Sequence, residues 1–218
     1  MLRDQSHYPE AIALFEKARA QFQAHHLRLD ALRCEREIAH TQSLGERGAV
    51  LEVLANLRRD FLNEGCALDA ALCDYFSANA LAEANRYTES LDALMRARQV
   101  FIESSADFFA AWCDLWFGVV YRRLNRFDDA LRALHGARDY FLARQIEMEV
   151  SACNINLGNT YYTLNRYDDA LVYYEQAARC AMAEGRDMPE CHSIAGDMVG
   201  GSIPGHAIDT LARNVNDM

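Results

Sequence analysis

Three cysteines at regular spacing are the first residues of this sequence to suggest chemistry. Cys73, Cys113 and Cys153 follow one another at intervals of 40 residues, and cysteine thiolates are common zinc ligands. A shared zinc needs each sulfur about 2.3 Å from the metal, whereas helices that pack side by side stand about 8–10 Å apart. If the cysteines occupy equivalent places in successive structural units, the thiols are too far apart. We therefore expect small buried cysteines and no metal site.

The other candidates for catalysis are weaker. Cys191 and His192 are neighbours, and neighbouring side chains on a helix point about 100° apart, so they do not face each other as a nucleophile and its base must. The glycines between 196 and 205 lack the Lys-Ser or Lys-Thr of a phosphate-binding loop. His25 and His26 fall in a predicted loop, and no His-Glu-x-x-His motif occurs. The sequence predicts no catalytic residue, no metal and no cofactor, and we expect a protein that is not an enzyme.

Composition restricts the class of protein. Of 218 residues, 51% are hydrophobic and 25% charged, which is typical of a folded chain. Only 11 glycines and 3 prolines occur, so the chain has few turns and favours long helices. The net charge of −10 argues against binding to nucleic acid or to an anionic membrane.

Cysteine usage and the N-terminus indicate a compartment. The seven cysteines are odd in number and contain no Cys-x-x-Cys pair, which is typical of reduced thiols. No apolar stretch resembles a secretory signal, and the most apolar region, 108–121, is shorter than the roughly 20 residues of a membrane span. We expect a cytoplasmic protein.

Asparagine-arginine pairs mark an internal repeat of 40 residues. Asn85, Asn125 and Asn165 are each followed by Arg and an aromatic residue, and Gly45 stands 40 residues before the first of them. Gly and Asn accept the left-handed conformation that ends a helix. Acidic residues follow each asparagine within a few positions, where they suit the start of the next helix.

Apolar residues at helical spacing fill the segments between these turns. Small residues such as Gly118 and Gly158 recur in register and predict close helix crossings. The predicted fold is all-α, with helices over 8–25, 28–43, 46–63, 67–84, 87–104, 107–124, 127–144, 147–164 and 167–184.

The repeat resembles the tetratricopeptide repeat (TPR) family. The residues that carry the resemblance are Leu157-Gly158-x-x-Tyr161 followed by Ala170, and Gly118-x-x-Tyr121 followed by Ala130. The 40-residue period resembles the long-helix variant of kinesin light chains, the adaptor LGN and bacterial regulatory proteins. The resemblance implies a right-handed superhelical solenoid of antiparallel helix pairs.

The resemblance also implies where a partner binds. In the family, the first helices of the pairs line a concave groove that holds an extended peptide or a partner helix. Carried over by position, the expected partner-binding residues of this chain are Tyr75, Asn79, Trp112, Trp116, Arg122, Arg123, Asn156, Asn159 and Tyr162.

Two pairs among these residues could instead stabilise the fold without contacting a partner. Trp112 and Trp116 are four residues apart on one helix, a spacing that also suits core packing. Arg122 and Arg123 also suit the C-terminal end of a helix dipole. If they face a ligand instead, this basic pair in an acidic chain favours an acidic partner segment.

The domain boundaries follow from the repeats. Residues 1–187 are predicted to form the solenoid, with an incomplete repeat whose second helix is 8–25, then repeats 28–65, 67–105, 107–145 and 147–185. After this, the glycine-rich sequence breaks the pattern, and we expect 188–218 to be an irregular capping segment with short helices near 190–199 and 206–216.

The sequence favours a protein–protein interaction module, or scaffold, without enzymatic activity. Two alternatives stay open at this point. One is a regulatory or sensor segment of a larger protein, such as a transcription regulator or a TPR-fused protease. The other is a homodimer through the apolar side of helix 8–25, whose companion helix is missing from the pattern.

Overall fold

The computed structural model describes residues 8–43 and 47–183. This part of the chain contains nine α-helices and no β-strand. The predicted helix bounds agree with the observed ones to within one residue. The helices are α1 (Tyr8–Ala24), α2 (Arg28–Ser43), α3 (Arg47–Asn63), α4 (Ala67–Glu83), α5 (Tyr87–Glu103), α6 (Asp107–Arg123), α7 (Phe127–Ala143), α8 (Glu147–Thr163) and α9 (Tyr167–Ala183).

Left-handed residues end the helices where the sequence predicts. Asn85, Asn125 and Asn165 have φ values of 58–59°, and Gly65 has a φ of 73°. At the first of these turns the Arg86 amide donates to the Leu81 carbonyl at 2.9 Å. This hydrogen bond spans five residues and satisfies a carbonyl of the last turn of the helix. Gly45 and the predicted helices near 190–199 and 206–216 lie outside the described residues.

The contacts divide the chain into two compact units, Met1–Trp116 and Phe117–Met218, with the boundary inside α6. In the first unit, α1 packs on α2, α2 on α3, α3 on α4 and α4 on α5. In the second unit, α7 packs on α8 and α8 on α9. Successive helices in both units are therefore neighbours, as expected for antiparallel pairs joined by three-residue turns.

Residues at two repeat positions lie fully buried in the core. Phe61 and Phe101 in the first unit and Phe141 in the second have 0% of their surface exposed, and so do Cys73, Cys113 and Cys153. Glycines allow the close crossings that the sequence predicts. A Cβ at Gly158 would lie 2.5 Å from Cε1 of Tyr174, and one at Gly118 would overlap the side chain of Leu134.

Candidate functional site

Aromatic side chains from three first helices form a connected row in the first unit. The rings of His40 on α2 and Phe76 on α4 stack with centroids 4.0 Å apart. Tyr75 lies 5.7 Å from Phe76 and 5.8 Å from Trp112 on α6, and Trp112 lies 5.3 Å from Phe108. We call these five residues the aromatic row. Trp112 and Phe108 are partly exposed, so the row offers apolar ring surface to a ligand.

Asn79 lies one helical turn after Tyr75 and Phe76 on α4 and is partly exposed. Its carboxamide Oδ1 is buried, and no hydrogen bond reaches it from the residues that the structure describes. A buried acceptor without a donor costs about 1–3 kcal/mol. The rest of the Asn79 side chain is partly exposed, so rotation of the carboxamide would bring this oxygen to the surface, where it could accept from a backbone or side-chain N–H of a ligand.

The two remaining candidates of the first unit differ in exposure. Tyr75 is only 4% exposed, so it supports Trp112 and Phe76 and offers little surface of its own. Trp116 is partly exposed, which suits both the structural and the binding interpretation of the sequence.

The basic pair at the end of α6 lies in the second unit. Arg122 and Arg123 are in the last turn of the helix; Arg123 is exposed and Arg122 is partly buried. Guanidinium groups at a helix C-terminus interact favourably with its carbonyls. The exposed side chain of Arg123 also suits a carboxylate from outside the chain.

Helix α8 carries two asparagines, one with a carboxamide oxygen left to accept a hydrogen bond and one with a carboxamide nitrogen left to donate one. Nδ2 of Asn156 donates to the Ala152 carbonyl at 2.9 Å, so its Oδ1 is the atom left to accept. Oδ1 of Asn159 accepts from the Tyr174 hydroxyl at 2.8 Å, so its Nδ2 is the atom left to donate. The ring of Tyr162, also on α8, packs on Tyr167 with centroids 5.4 Å apart. Asn156 and Asn159 can therefore pair with both groups of a peptide bond.

The sequence analysis did not predict a repeated contact in which an arginine donates to an Asp or Asn 16 residues later in the chain. Arg58 on α3 donates from Nε to Asp74 on α4 at 2.7 Å, and Arg96 on α5 donates to the same carboxylate at 2.8 Å. The same spacing of 16 residues joins Arg98 to Asp114 at 2.6 Å and Arg138 to Asn154 at 2.7 Å. The recurrence of Arg at intervals of 40 and of Asp, Asp and Asn 16 residues later was the available signal.

A second arginine cluster surrounds Asp69 on α4. Arg36 donates to this carboxylate at 2.6 Å and Arg33 at 3.0 Å. Burial acts to raise the pKa of Asp69, but the hydrogen bonds and charges of the two arginines outweigh it and lower the pKa below its ordinary value. Asp69 is therefore a structural carboxylate held ionised between α2 and α4.

The regularly spaced cysteines are structural. Burial raises the pKa of Cys73, Cys113 and Cys153 to about 12, so their thiols stay protonated at neutral pH. The described cysteines form no disulfide, and no three His, Cys, Asp or Glu residues within residues 8–43 and 47–183 group as metal ligands do. Cys191, His192 and the glycines after 195 lie outside the described residues.

Helix pairs that recur at 40-residue intervals, with a left-handed asparagine after the first helices α4, α6 and α8, define a helical-repeat architecture. Residues 151–182 match the family model of the tetratricopeptide repeat, which confirms the resemblance for α8 and α9. Among curated proteins, none matches the sequence significantly. No helix among the described residues is long and apolar enough to cross a membrane.

Solved structures share the fold at low sequence identity. The crystal structure of BtubC (BKLC) from P. vanneervenii superposes with a TM-score of 0.67 at 16% identity, over 94% of this chain and 90% of that chain. TPR-like repeats of a Podosopora anserina protein described as a kinesin light chain superpose with a TM-score of 0.58 at 17% identity, over 85% and 93%. The chain therefore contains a tetratricopeptide repeat at 151–182 and has the fold of TPR-like solenoid proteins.

Proposed function

We propose that this chain is a protein–protein interaction module, without enzymatic activity of its own, that binds a segment of another protein on its first helices. The observation that carries the proposal is the buried Oδ1 of Asn79, which has no hydrogen-bond donor among the described residues. It lies one turn from the aromatic row. A polar group that lacks a partner beside partly exposed rings is the arrangement expected of a peptide-binding surface.

The chemistry of the surface suits a peptide. The aromatic row supplies large and rigid contact area, which costs little side-chain entropy on binding. In the first unit Asn79 accepts a hydrogen bond from the bound segment. The second unit has polar groups of its own for a bound backbone, because Asn156 can accept and Asn159 can donate whatever the sequence of the segment.

Charge adds selectivity to this function. Arg123 is exposed at the end of α6, with Arg122 beside it. In a chain with a net charge of −10 such a pair attracts acidic segments locally. We infer that an acidic stretch of the partner contacts this pair. The described cysteines are free thiols, which fits a reducing compartment, and we place the interaction in the cytoplasm.

Affinity capture followed by measurement of the captured segment's Kd tests the function. Asn79→Ala should weaken binding by about tenfold, since it removes one hydrogen bond to a buried acceptor. Asn63→Ala is the matched control, because Asn63 is exposed at the end of α3, a second helix. Equal Kd values for Asn79→Ala and Asn63→Ala would contradict the proposed site.

The acidic partner segment has its own test. The double variant Arg122→Glu, Arg123→Glu should bind the partner more weakly than the wild type does. Added salt should weaken the wild-type complex and have less effect on the complex of this variant. An affinity that the double substitution leaves unchanged would show that the acidic segment does not bind there.

A further inference from the structure

Helix α1 has an apolar face that is open in this structure. No residue of α1 is buried. Ala11, Phe15, Ala18 and Phe22 are partly exposed, and Leu14 is 69% exposed. We call these five residues the α1 face. Ala11, Phe15, Ala18 and Phe22 follow the 4-3-4 spacing of a helix stripe that packs against another helix, and Leu14 lies at the edge of this stripe.

The same positions are fully buried in a complete helix pair. In α7 the corresponding residues are Ala130, Leu134, Ala137 and Phe141, and each is 0% exposed. The difference has a simple cause. Leu134 on α7 lies against Gly118 on the first helix of its own pair, whereas α1 packs on α2 and has no such companion among the described helices.

Complete pairs show what kind of surface covers this face. Leu134 lies against Gly118, and Tyr174, at the same repeat position in α9, lies against Gly158. A large side chain at this position therefore meets a small residue of the covering helix. Phe15 is the large side chain of α1, so a helix that covers the α1 face must place a small residue opposite it.

We propose that the α1 face binds the α1 face of a second copy of this chain, with the two helices antiparallel. The face alternates alanine and phenylalanine along the helix. In the antiparallel register that places Phe15 opposite Ala18 of the second copy, Phe22 falls opposite Ala11. The two-fold axis repeats both contacts, so each large side chain meets a small one.

Charge permits this contact. The whole chain carries a net charge of −10, which opposes association of two copies. Helix α1 contains two acidic residues, Glu10 and Glu16, and two basic ones, Lys17 and Arg19. Its formal charge is therefore zero, and antiparallel helix dipoles attract each other. Leu14, at the edge of the stripe, is covered by the same contact.

Sedimentation equilibrium of the full chain tests the dimer. The wild type should show a mass near twice the 24.7 kDa of one chain at micromolar concentrations. Leu14→Glu should raise the dimer dissociation constant at least tenfold, because it places a charge in the apolar contact. The control is Met95→Glu on α5: Met95 is 53% exposed on a second helix with a complete pair, and its substitution should leave the dimer intact.

A residue exchange tests the register. Phe15→Ala alone and Ala18→Phe alone should each weaken the dimer, since they create a cavity or a clash. The double variant restores a large residue opposite a small one and should recover most of the affinity. Circular dichroism checks that each variant keeps its helices. Two results would overturn the proposal. One is a monomeric wild type, which would mean that a different helix covers the α1 face; the other is a dimer dissociation constant that is the same for Leu14→Glu and the wild type.

Discussion

At the scale of single residues, Gly158 determines how closely α8 and α9 approach. The aromatic ring of Tyr174 covers the glycine, and the Tyr174 hydroxyl donates to Asn159 at 2.8 Å. The ring is attached to the α9 backbone at one end and hydrogen-bonded to Asn159 through its hydroxyl at the other, so moving it aside would break this hydrogen bond. The same tyrosine links the core of the pair to Asn159, one of the proposed binding residues.

Gly158→Leu should destabilise the protein by about 1–3 kcal/mol, because the new side chain would overlap the Tyr174 ring. Gly136→Ala on α7 is the control. A Cβ at Gly136 meets no atom within 4 Å, so alanine should be neutral or stabilise the helix by roughly 0.5–1 kcal/mol. Thermal unfolding distinguishes the two, and equal melting temperatures for Gly158→Leu and the wild type would refute the crossing.

Asp69 predicts how stability depends on acid. Its pKa in the folded state is lowered, because the bonds from Arg33 and Arg36 outweigh burial, which alone would raise it. A carboxyl with a lowered folded pKa stabilises the fold above its unfolded pKa, about 3.9, and this contribution is lost as the pH falls through the folded value. Urea unfolding of the wild type should therefore show an advantage over Asp69→Asn at pH 7 that shrinks below about pH 4. An advantage that does not change with acid would show that the charge is unimportant.

At the scale of elements, arginine contacts join the second helices α3, α5 and α7 to the first helix that follows each of them. Asp74 on α4 is 5% exposed and is held by Arg58 from α3 and Arg96 from α5. A carboxylate at this depth requires such partners. These contacts orient α4, which carries Tyr75, Phe76 and Asn79.

Arg58→Ala should destabilise the first unit by about 1–3 kcal/mol, since Asp74 then loses one of its two cationic donors while it stays buried. Arg59→Ala changes the neighbouring residue, which donates to the exposed side chain of Asn56, and should alter the free energy of unfolding by less than about 0.5 kcal/mol. Chemical denaturation measures both. Similar effects of the two substitutions would mean that the buried contact contributes little.

The elements themselves were largely predictable from the sequence. Asn85, Asn125 and Asn165 adopt the left-handed conformation that their residue type favours, and so the helix ends were predicted to within one residue. Local chemistry decides such turns. Tertiary contacts were less accessible: the 16-residue spacing hints at the contact of Arg58 with Asp74, but nothing in the sequence says that Arg96 also reaches Asp74 or that Tyr75 turns its ring to Trp112.

The candidate site was predictable only as a set of positions. The family resemblance selected Asn79, Asn156 and Asn159 by register, but the hydrogen bonds that each one makes depend on side-chain geometry. Asn159 accepts from Tyr174, whereas Oδ1 of Asn79 has no donor among the described residues. The assignment of these positions to partner binding stays a prediction.

At the scale of the whole molecule, repetition explains how one surface chemistry recurs along the chain. Each compact unit contains first helices whose partly exposed side chains include aromatic rings and asparagines. Because helices in a repeat protein contact mainly their neighbours in sequence, a ligand can bind without rearranging the core. Binding should therefore order the surface locally rather than change the fold.

Hydrogen–deuterium exchange of the full chain, with and without the captured partner, tests the central claim most directly. We expect the partner to slow exchange in the first helices, above all in α4 and α8, where Asn79, Asn156 and Asn159 lie. Exchange in the second helices α5 and α7 should change much less. Protection confined to α5 and α7, with α4 and α8 unaffected, would contradict the proposal that the first helices bind the partner.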